Sequence, residues 1–467
     1  VKSLIFTTLA LILTCSFAAG QTSLSPYSRF AFGDFIAPGG AAQLGIGGLG
    51  AAWIDRSSIN AANPAAASFL HRTSFQSGLG VHSLKLTEGS STGSGQFGGL
   101  DAVSLVLKKR SGRGAFQFGV RPLSGSGYAI TDKFEQDGIG EVEISYTGEG
   151  GLSAAHAGWS YRWDGQRWRS LGTASGTAID SVRVVAHGTA LGVHVQQIFG
   201  DLAQTRFADI IDPGYLDTQV KRSALHRGLG LKLGFMHERL ISATYDQDRK
   251  LRSSTLLRIG ATASPSFGLT VEESIERTTA QNLSGVITQI DSVEVTSSVS
   301  TADFPLTWTV GFILERSTAS GRRLELGLEL GLADWTANNT SNPDLLDPGV
   351  HFAEASHRAI GFSYTPRNVE DSRSLLERST YRAGYRQSSG YLTFDQHRAL
   401  RKVLSLGLTA PMLGSRSGSQ FHFGIDFGER LIEGDSEALR ESITTLRFGV
   451  SLSPFFKNIW LVPRRYD

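Results

Sequence analysis

From Leu324 to Leu332 every even position is leucine and every odd one is Glu or Gly. As a strand this puts five leucines on one face and charge or nothing on the other; a helix would spread them around its circumference. The same alternation recurs along the chain. Leu229, Leu231, Leu233 and Phe235 are spaced by Gly230, Lys232 and Gly234, and Leu306, Trp308, Val310, Phe312 and Leu314 alternate with Thr307, Thr309 and Gly311. Phe421–Phe427, Leu446–Leu452 and Phe116–Val120 repeat it. Counted between residues 73 and 453, such runs predict about 14 to 16 strands, and the even number 14 suits a bacterial single-chain barrel.

Two architectures use strands of this kind. A soluble sandwich turns the apolar face inward, whereas a membrane barrel turns it toward lipid. Strand length favours the barrel: many runs reach about 10 residues, as a spanning strand requires, where soluble strands cluster near 5 or 6. The polar face is mostly Gly, Ser and Thr with scattered charge, which suits a crowded lumen. A soluble β-sandwich remains the third choice. The fold class read here is all-β: a transmembrane antiparallel barrel of about 14 strands with an N-terminal plug.

Residues 21–72 break the pattern. They carry Phe30, Phe32, Phe35, Trp53 and Ile54 among many Gly and Ala, too apolar for a solvated tail. A plug folded into the lumen accounts for this, with a periplasmic arm as the alternative. The expected organisation is a signal peptide at 1–20, a plug at 21–72, a barrel at 73–455 and a C-terminal tail at 456–467.

Composition sharpens the picture at three points. The 54 glycines are roughly 12% of the chain where about 7% is usual, with no collagen period. The 45 basic and 43 acidic residues leave a formal charge of +2, which argues against nucleic acid as a partner. The single cysteine, Cys15, lies in an apolar stretch after Lys2 that ends in small residues, the pattern of a signal peptide cleaved near Ala19 or Gly20. Ile12-Leu13-Thr14 is a poor context for lipidation of Cys15.

The motifs that usually announce catalysis are weak here. Gly45-Ile46-Gly47-Gly48-Leu49-Gly50 fits G-x-G-x-x-G, but no strand precedes it. Gly89-Ser90-Ser91-Thr92-Gly93 fits a nucleophile elbow, but lies in a Gly/Ser turn between two strands. His194 and His422 read as solvated lumen residues, and Glu325 and Glu329 as lumen charges with Lys232 or Arg447 as candidate partners. The expectation is no enzyme, no cofactor and no metal site.

The blocks Ser25-Pro26-Tyr27-Ser28-Arg29-Phe30, Phe32-Gly33-Asp34 and Asn60-Ala61-Ala62-Asn63-Pro64-Ala65-Ala66 resemble the N-terminus of FadL-like outer-membrane proteins, the long-chain fatty-acid and hydrocarbon transporters. Phe118-Gly119-Val120-Arg121-Pro122 and Asp334-Trp335-Thr336 resemble blocks of a divergent bacterial branch. The resemblance implies a 14-stranded barrel plugged by its N-terminus, with Asn63, Pro64 and Ala65 at the plug–barrel junction. It implies a kinked third strand, here carrying Pro122, Gly125 and Gly127, beside which a hydrophobic molecule leaves laterally. Phe30, Phe32, Phe35 and Trp53 are the expected ligand contacts. The function implied is plug-gated uptake of fatty-acid-like molecules across the bacterial outer membrane. The alternative is a non-transporting barrel that docks to, or helps assemble, a secretion apparatus through loops such as 164–181 and 337–349. The partners expected are outer-membrane lipid, a hydrophobic ligand, the barrel-assembly machinery and, under the alternative, a secretion-system partner.

Overall fold

In a computed structural model of the protein the alternating runs close into one antiparallel barrel of fourteen strands. The structure describes residues 23–109, 112–137, 140–171, 180–210, 215–245, 251–283, 286–338, 349–367, 374–412, 418–434 and 438–453. The expected signal peptide and C-terminal tail lie outside them.

The first two strands are Ser74–Glu88 and Ser91–Lys108. The third runs Gly114–Pro122 and resumes at Tyr128–Gln136. Gly140–Leu171, Asp180–Ile210 and Asp217–Tyr245 are the fourth to sixth. The seventh and eighth are each interrupted at a proline: Leu251–Ser264 then Phe267–Leu283, and Val286–Phe304 then Thr307–Thr318. Arg323–Asp334 is the ninth, and the tenth is Val350–Phe352 with Glu354–Thr365. Thr380–Phe394, His397–Pro411, Gln420–Ile432 and Arg440–Leu452 complete the wall, and the last pairs with the first from Phe75↔Leu452 to Thr87↔Arg440. Closure leaves the lower wall no free edge, which is the condition for a sheet in hydrocarbon.

The apolar face points outward. Leu229 is 62% exposed and Leu328 54%, although both are leucines in regular strands. From the first to the last belt leucine of the ninth strand, Leu324 to Leu332, the run is nine residues, enough for the apolar band of about 25 Å that lipid requires. The fourth to eighth strands are far longer than spanning demands. Their far ends, with Tyr128–Gln136, extend past this band as an open six-stranded sheet. The expected loop opening at Asp164 is instead strand as far as Leu171, because residues 164–171 stay paired with 180–188 of the fifth strand.

The inside is filled by the chain itself. Residues 23–70 are folded within the wall, built from a 3-10 turn at Pro26–Arg29, a two-residue strand Asp34–Phe35, a helical turn Ala41–Leu44 and a 3-10 helix Pro64–Phe69. The last starts where Asn63 accepts the Ala65 N–H and Pro64 takes the first helical position, a pairing of cap and proline that suits a helix start.

Candidate functional site

The site with most structure in it is the contact between this inner segment and the wall. Every strand from the fifth to the fourteenth presents one glycine to it: Gly192, Gly234, Gly260, Gly311, Gly327, Gly361, Gly384, Gly407, Gly424 and Gly449. A Cβ at Gly260 would stand 1.8 Å from Ala51 O, one at Gly384 2.1 Å from Gly47 N, and one at Gly361 2.2 Å from Ile46 O. Those distances are far below contact, so side-chain-free strands are what let the backbone of 41–66 lie directly on the wall. Trp53 (1% exposed), Ile46 and Leu49 fill the remaining space with Ile313 and Ala359.

Polar groups pin the same segment. Glu329 accepts the Gly50 and Ala51 N–H groups at 2.6 and 2.7 Å. Asn63 donates to Ala51 O at 2.6 Å and Phe235 O at 3.0 Å. Asp55 meets Arg382 at 3.0 Å with both side chains buried. Burial by itself would push the Asp55 carboxyl up; Arg382 and then Arg323 outweigh it and hold the group below its ordinary value of 3.8. Nearer the far rim Arg430 bridges Asp34 at 2.5 Å and Glu441 at 3.2 Å, and Ser25 donates to Glu441 at 2.5 Å. Buried pairs of this kind add little net stability but penalise any other register heavily.

Above the glycine-lined zone lies an aromatic cluster. Phe32, wholly buried, packs 5.4 Å from Phe304 and 5.6 Å from Trp335; Phe35 lies 4.9 Å from Tyr391 and 5.3 Å from Trp335. The Tyr391 hydroxyl accepts the Phe32 N–H at 3.2 Å and donates to Gly33 O at 2.8 Å. Of the four expected ligand contacts, Phe32 and Phe35 join this cluster and Phe30 reaches its margin at Phe394, 5.3 Å away. Trp53 belongs to the separate cluster below. Phe304, Trp335 and Tyr391, which sequence reasoning left out, supply most of the wall side; their only signal was the Asp334-Trp335-Thr336 block.

Asn63, Pro64 and Ala65 stand against Gly192 of the fifth strand and Gly234 of the sixth. His194 and His422 are each 1% exposed, so neither is a solvated lumen residue. His194 stacks on His156 at 4.8 Å, and His422 bonds Thr409 at 2.9 Å and Ser451 at 2.7 Å. Glu325 pairs with Arg258, which also binds Glu238 and Glu315, while Arg447 takes Asp101 and Asp426. Arg447 is thus taken up elsewhere, while Lys232 has Glu329 as its acidic electrostatic neighbour. No group of three or more metal-ligating side chains occurs among the described residues.

The third strand departs from the wall where its proline and glycines lie. Pairing with the second strand ends at Val103↔Val120, and the regular ladder with the fourth is interrupted between Pro122↔Ser153 and Tyr128↔Gly148, where two backbone bonds remain, Leu123 N–H to Leu152 O at 2.8 Å and Ser126 N–H to Gly150 O at 2.9 Å. In the interval Ser124 and Gly125 turn inward and pair with Phe35 and Asp34. A Cβ at Gly127 would fall 1.9 Å from Ser23 O, and Leu24 lies against Gly95 of the second strand. The inner segment therefore occupies the inner side of this break.

A closed fourteen-strand wall, a lipid-facing belt and an N-terminal segment filling the lumen give the architecture of FadL-type barrels. Solved structures agree on the fold. The Ralstonia pickettii toluene transporter TbuX superposes with a TM-score of 0.52 at 14% identity, covering 89% of this chain and 98% of that one. A Pseudomonas aeruginosa FadL homologue gives 0.52 at 12%, over 91% and 100%. The P. putida toluene transporter TodX gives 0.52 at 17%, over 90% and 99%. No curated protein matches the sequence at a significant level. The BamG family model matches residues 1–169 and 181–467, and the chain belongs to the BamG family.

Proposed function

We propose that this protein is a docking or assembly subunit of the barrel-assembly machinery in the bacterial outer membrane, built on the frame of a hydrophobic-compound transporter. The observation that carries this reading is the glycine-lined seat. Backbone of the inner segment lies against the glycines of the fifth, sixth, seventh, tenth, eleventh and twelfth strands closer than any Cβ would allow, which leaves it little room to shift there. The family name points to the same machinery. The open sheet beyond the belt offers a surface for docking: residues 294–301 of the eighth strand are exposed, and Val299 is 73% so.

A second reading has its own support. The interrupted third strand and the aromatic cluster are suited to plug-gated, lateral passage of a fatty-acid-like molecule, with Phe30, Phe32 and Phe35 as its contacts and Pro122, Gly125 and Gly127 beside its exit. TbuX and TodX, which share the fold, are toluene transporters.

One variant separates the two. Phe35 and Ser124 are direct partners in an antiparallel pair, and the sole native cysteine is Cys15. Cysteines at both positions have the Cα spacing of a disulfide. Under the docking reading, depletion of the protein lowers the level of other outer-membrane barrels, and the locked variant restores it in full. Unchanged barrel levels on depletion, with labelled fatty-acid uptake lost on locking and regained on reduction, would replace that reading with transport.

A further inference from the structure

The seventh and eighth strands break on the same rung. Ser264↔Thr307 and Phe267↔Phe304 are paired, and between them stand Pro265-Ser266 and Pro305-Leu306. Each proline removes a ladder donor, so the two strands part there. The break also shifts the alternation: Phe304 points into the lumen at 9% exposure, yet Leu306, two residues on, points outward at 54%. The result is a pocket of about 520 Å³ in the outer face of the wall, lined among others by Phe267, Phe304, Leu306, Trp308 and Leu332. Its volume lies within the roughly 300–1,000 Å³ of small-molecule sites.

Position says what covers it. Leu306 and the half-buried Leu332 are the uppermost residues of the lipid-facing belt on the eighth and ninth strands, with Trp308 next below Leu306, so the pocket is continuous with the surface that membrane hydrocarbon already contacts. Directly above stand Asp303 and Asp334, both exposed, and both line the pocket. Among the described residues neither is paired with a cation; Asp334 takes only the Thr336 N–H and hydroxyl, at 3.1 and 2.6 Å. Apolar walls below and two carboxylates at the mouth reproduce, in complement, a lipid chain below a cationic head. Asn338 keeps the mouth in shape by donating to Asp303 O at 2.8 Å and accepting the Asp303 N–H at 3.2 Å.

We propose that this pocket is a binding site for one aminophospholipid, its acyl chain between Trp308 and Phe304 and its ammonium head at Asp303 and Asp334. The site is independent of the docking reading, since it requires only that the barrel spans a membrane. It also touches the interior: its floor, Phe304 and Phe267, stacks at 5.4 Å, and Phe304 contacts Phe32. A bound chain therefore presses on the aromatic cluster that holds the inner segment.

Trp308 reports occupancy. The full-length protein is placed in phosphatidylglycerol nanodiscs titrated with phosphatidylethanolamine brominated on one acyl chain. The Trp308 signal is the difference between wild type and Trp308→Phe; the Trp159 signal, from an outward belt residue of the fourth strand, is obtained the same way. Trp308 quenching is expected to saturate at a mole fraction about threefold lower than that of Trp159, a ratio that exposed ion pairs can supply. Asp303→Asn with Asp334→Asn abolishes the preference, as does filling the pocket with Ser266→Leu, while both variants keep the heat-modifiable mobility of a folded barrel. Equal quenching at the two tryptophans overturns the site. A preference shared by brominated phosphatidylglycerol overturns the ammonium assignment, and one reproduced by a free brominated fatty acid overturns the phospholipid.

Discussion

Two places in the wall lose their strand pairing beside a proline, and they end differently. At Pro122 the third strand turns inward and finds new partners in Asp34 and Phe35 of the inner segment. At Pro265 and Pro305 two neighbouring strands part together, nothing from the inside enters the rung, and a pocket faces lipid. The local chemistry is the same; the difference is what stands behind. Behind the first break run polar backbone and Ser23–Phe35, which can accept ladder hydrogen bonds; behind the second stand the rings of Phe304 and Phe267, which cannot. A break in a membrane wall is thus closed by backbone or capped by aromatics, and only the second kind leaves room for a ligand.

The largest effect should come from removing what holds the covered break shut. Arg430→Ala strips Asp34 of its closest cation and leaves Glu441, which is wholly buried, without its own. Stranding a buried charge costs about 3–5 kcal/mol. Protease cleavage near Asp34, absent in wild type, should appear while the barrel keeps its heat-modifiable mobility. If the inner segment stays protected, the covering does not depend on this ion pair.

Acid should act in the same direction. The Asp55 carboxyl is held below 3.8 beside Arg382, so the stability it contributes is present above that pH and is lost as pH falls through the lower folded value. The inner segment should loosen in that window, read by thermal unfolding at stepped pH, and Asp55→Asn should flatten the step. The lipid-facing break has no buried carboxylate in its lining and should not respond.

Much of this contrast was legible in the sequence, and the missing part follows from physics. Alternation reports which side a residue faces without reporting its partner, so the belt and a barrel of about 14 strands could be read directly, while the FadL type came from the resemblance of the N-terminal blocks. Pro122, Gly125 and Gly127 are visible because proline and glycine act on their own backbone. The paired break is not: Pro265 and Pro305 are far apart in sequence and meet only once register is set. Register also separates Trp53 from the phenylalanines and buries His194 and His422, which sequence placed in water. The glycine excess could be assigned to a crowded lumen, but not to a seat for backbone.

A smaller effect is expected at Gly127, where an added methyl would meet Ser23 O at 1.9 Å. Gly127→Ala displaces Ser23 from the covered break at a cost of about 1–3 kcal/mol, the usual range for overpacking. The thermal midpoint should fall, and a cysteine placed at Leu24 should become reactive to a soluble maleimide. Gly99→Ala, with nothing within 4 Å of the new Cβ and, like Gly127, no positive φ, is the matched control.

The smallest effect separates the breaks most cleanly. Replacing Pro265 and Pro305 together by threonine returns two N–H donors to a rung flanked by the intact pairs Ser264↔Thr307 and Phe267↔Phe304. No inner residue competes for them, so the ladder can close across the gap. The net change in stability should stay within about 1 kcal/mol, because donors regained are offset by the added freedom of the unfolded chain. Amide exchange should nevertheless slow at residues 264–267 and 304–307. Pro122→Thr should give no such protection, because Ser124 and Gly125 beyond it remain committed to Phe35 and Asp34. Equal protection at both sites would mean that the inner segment is not what keeps the third strand open.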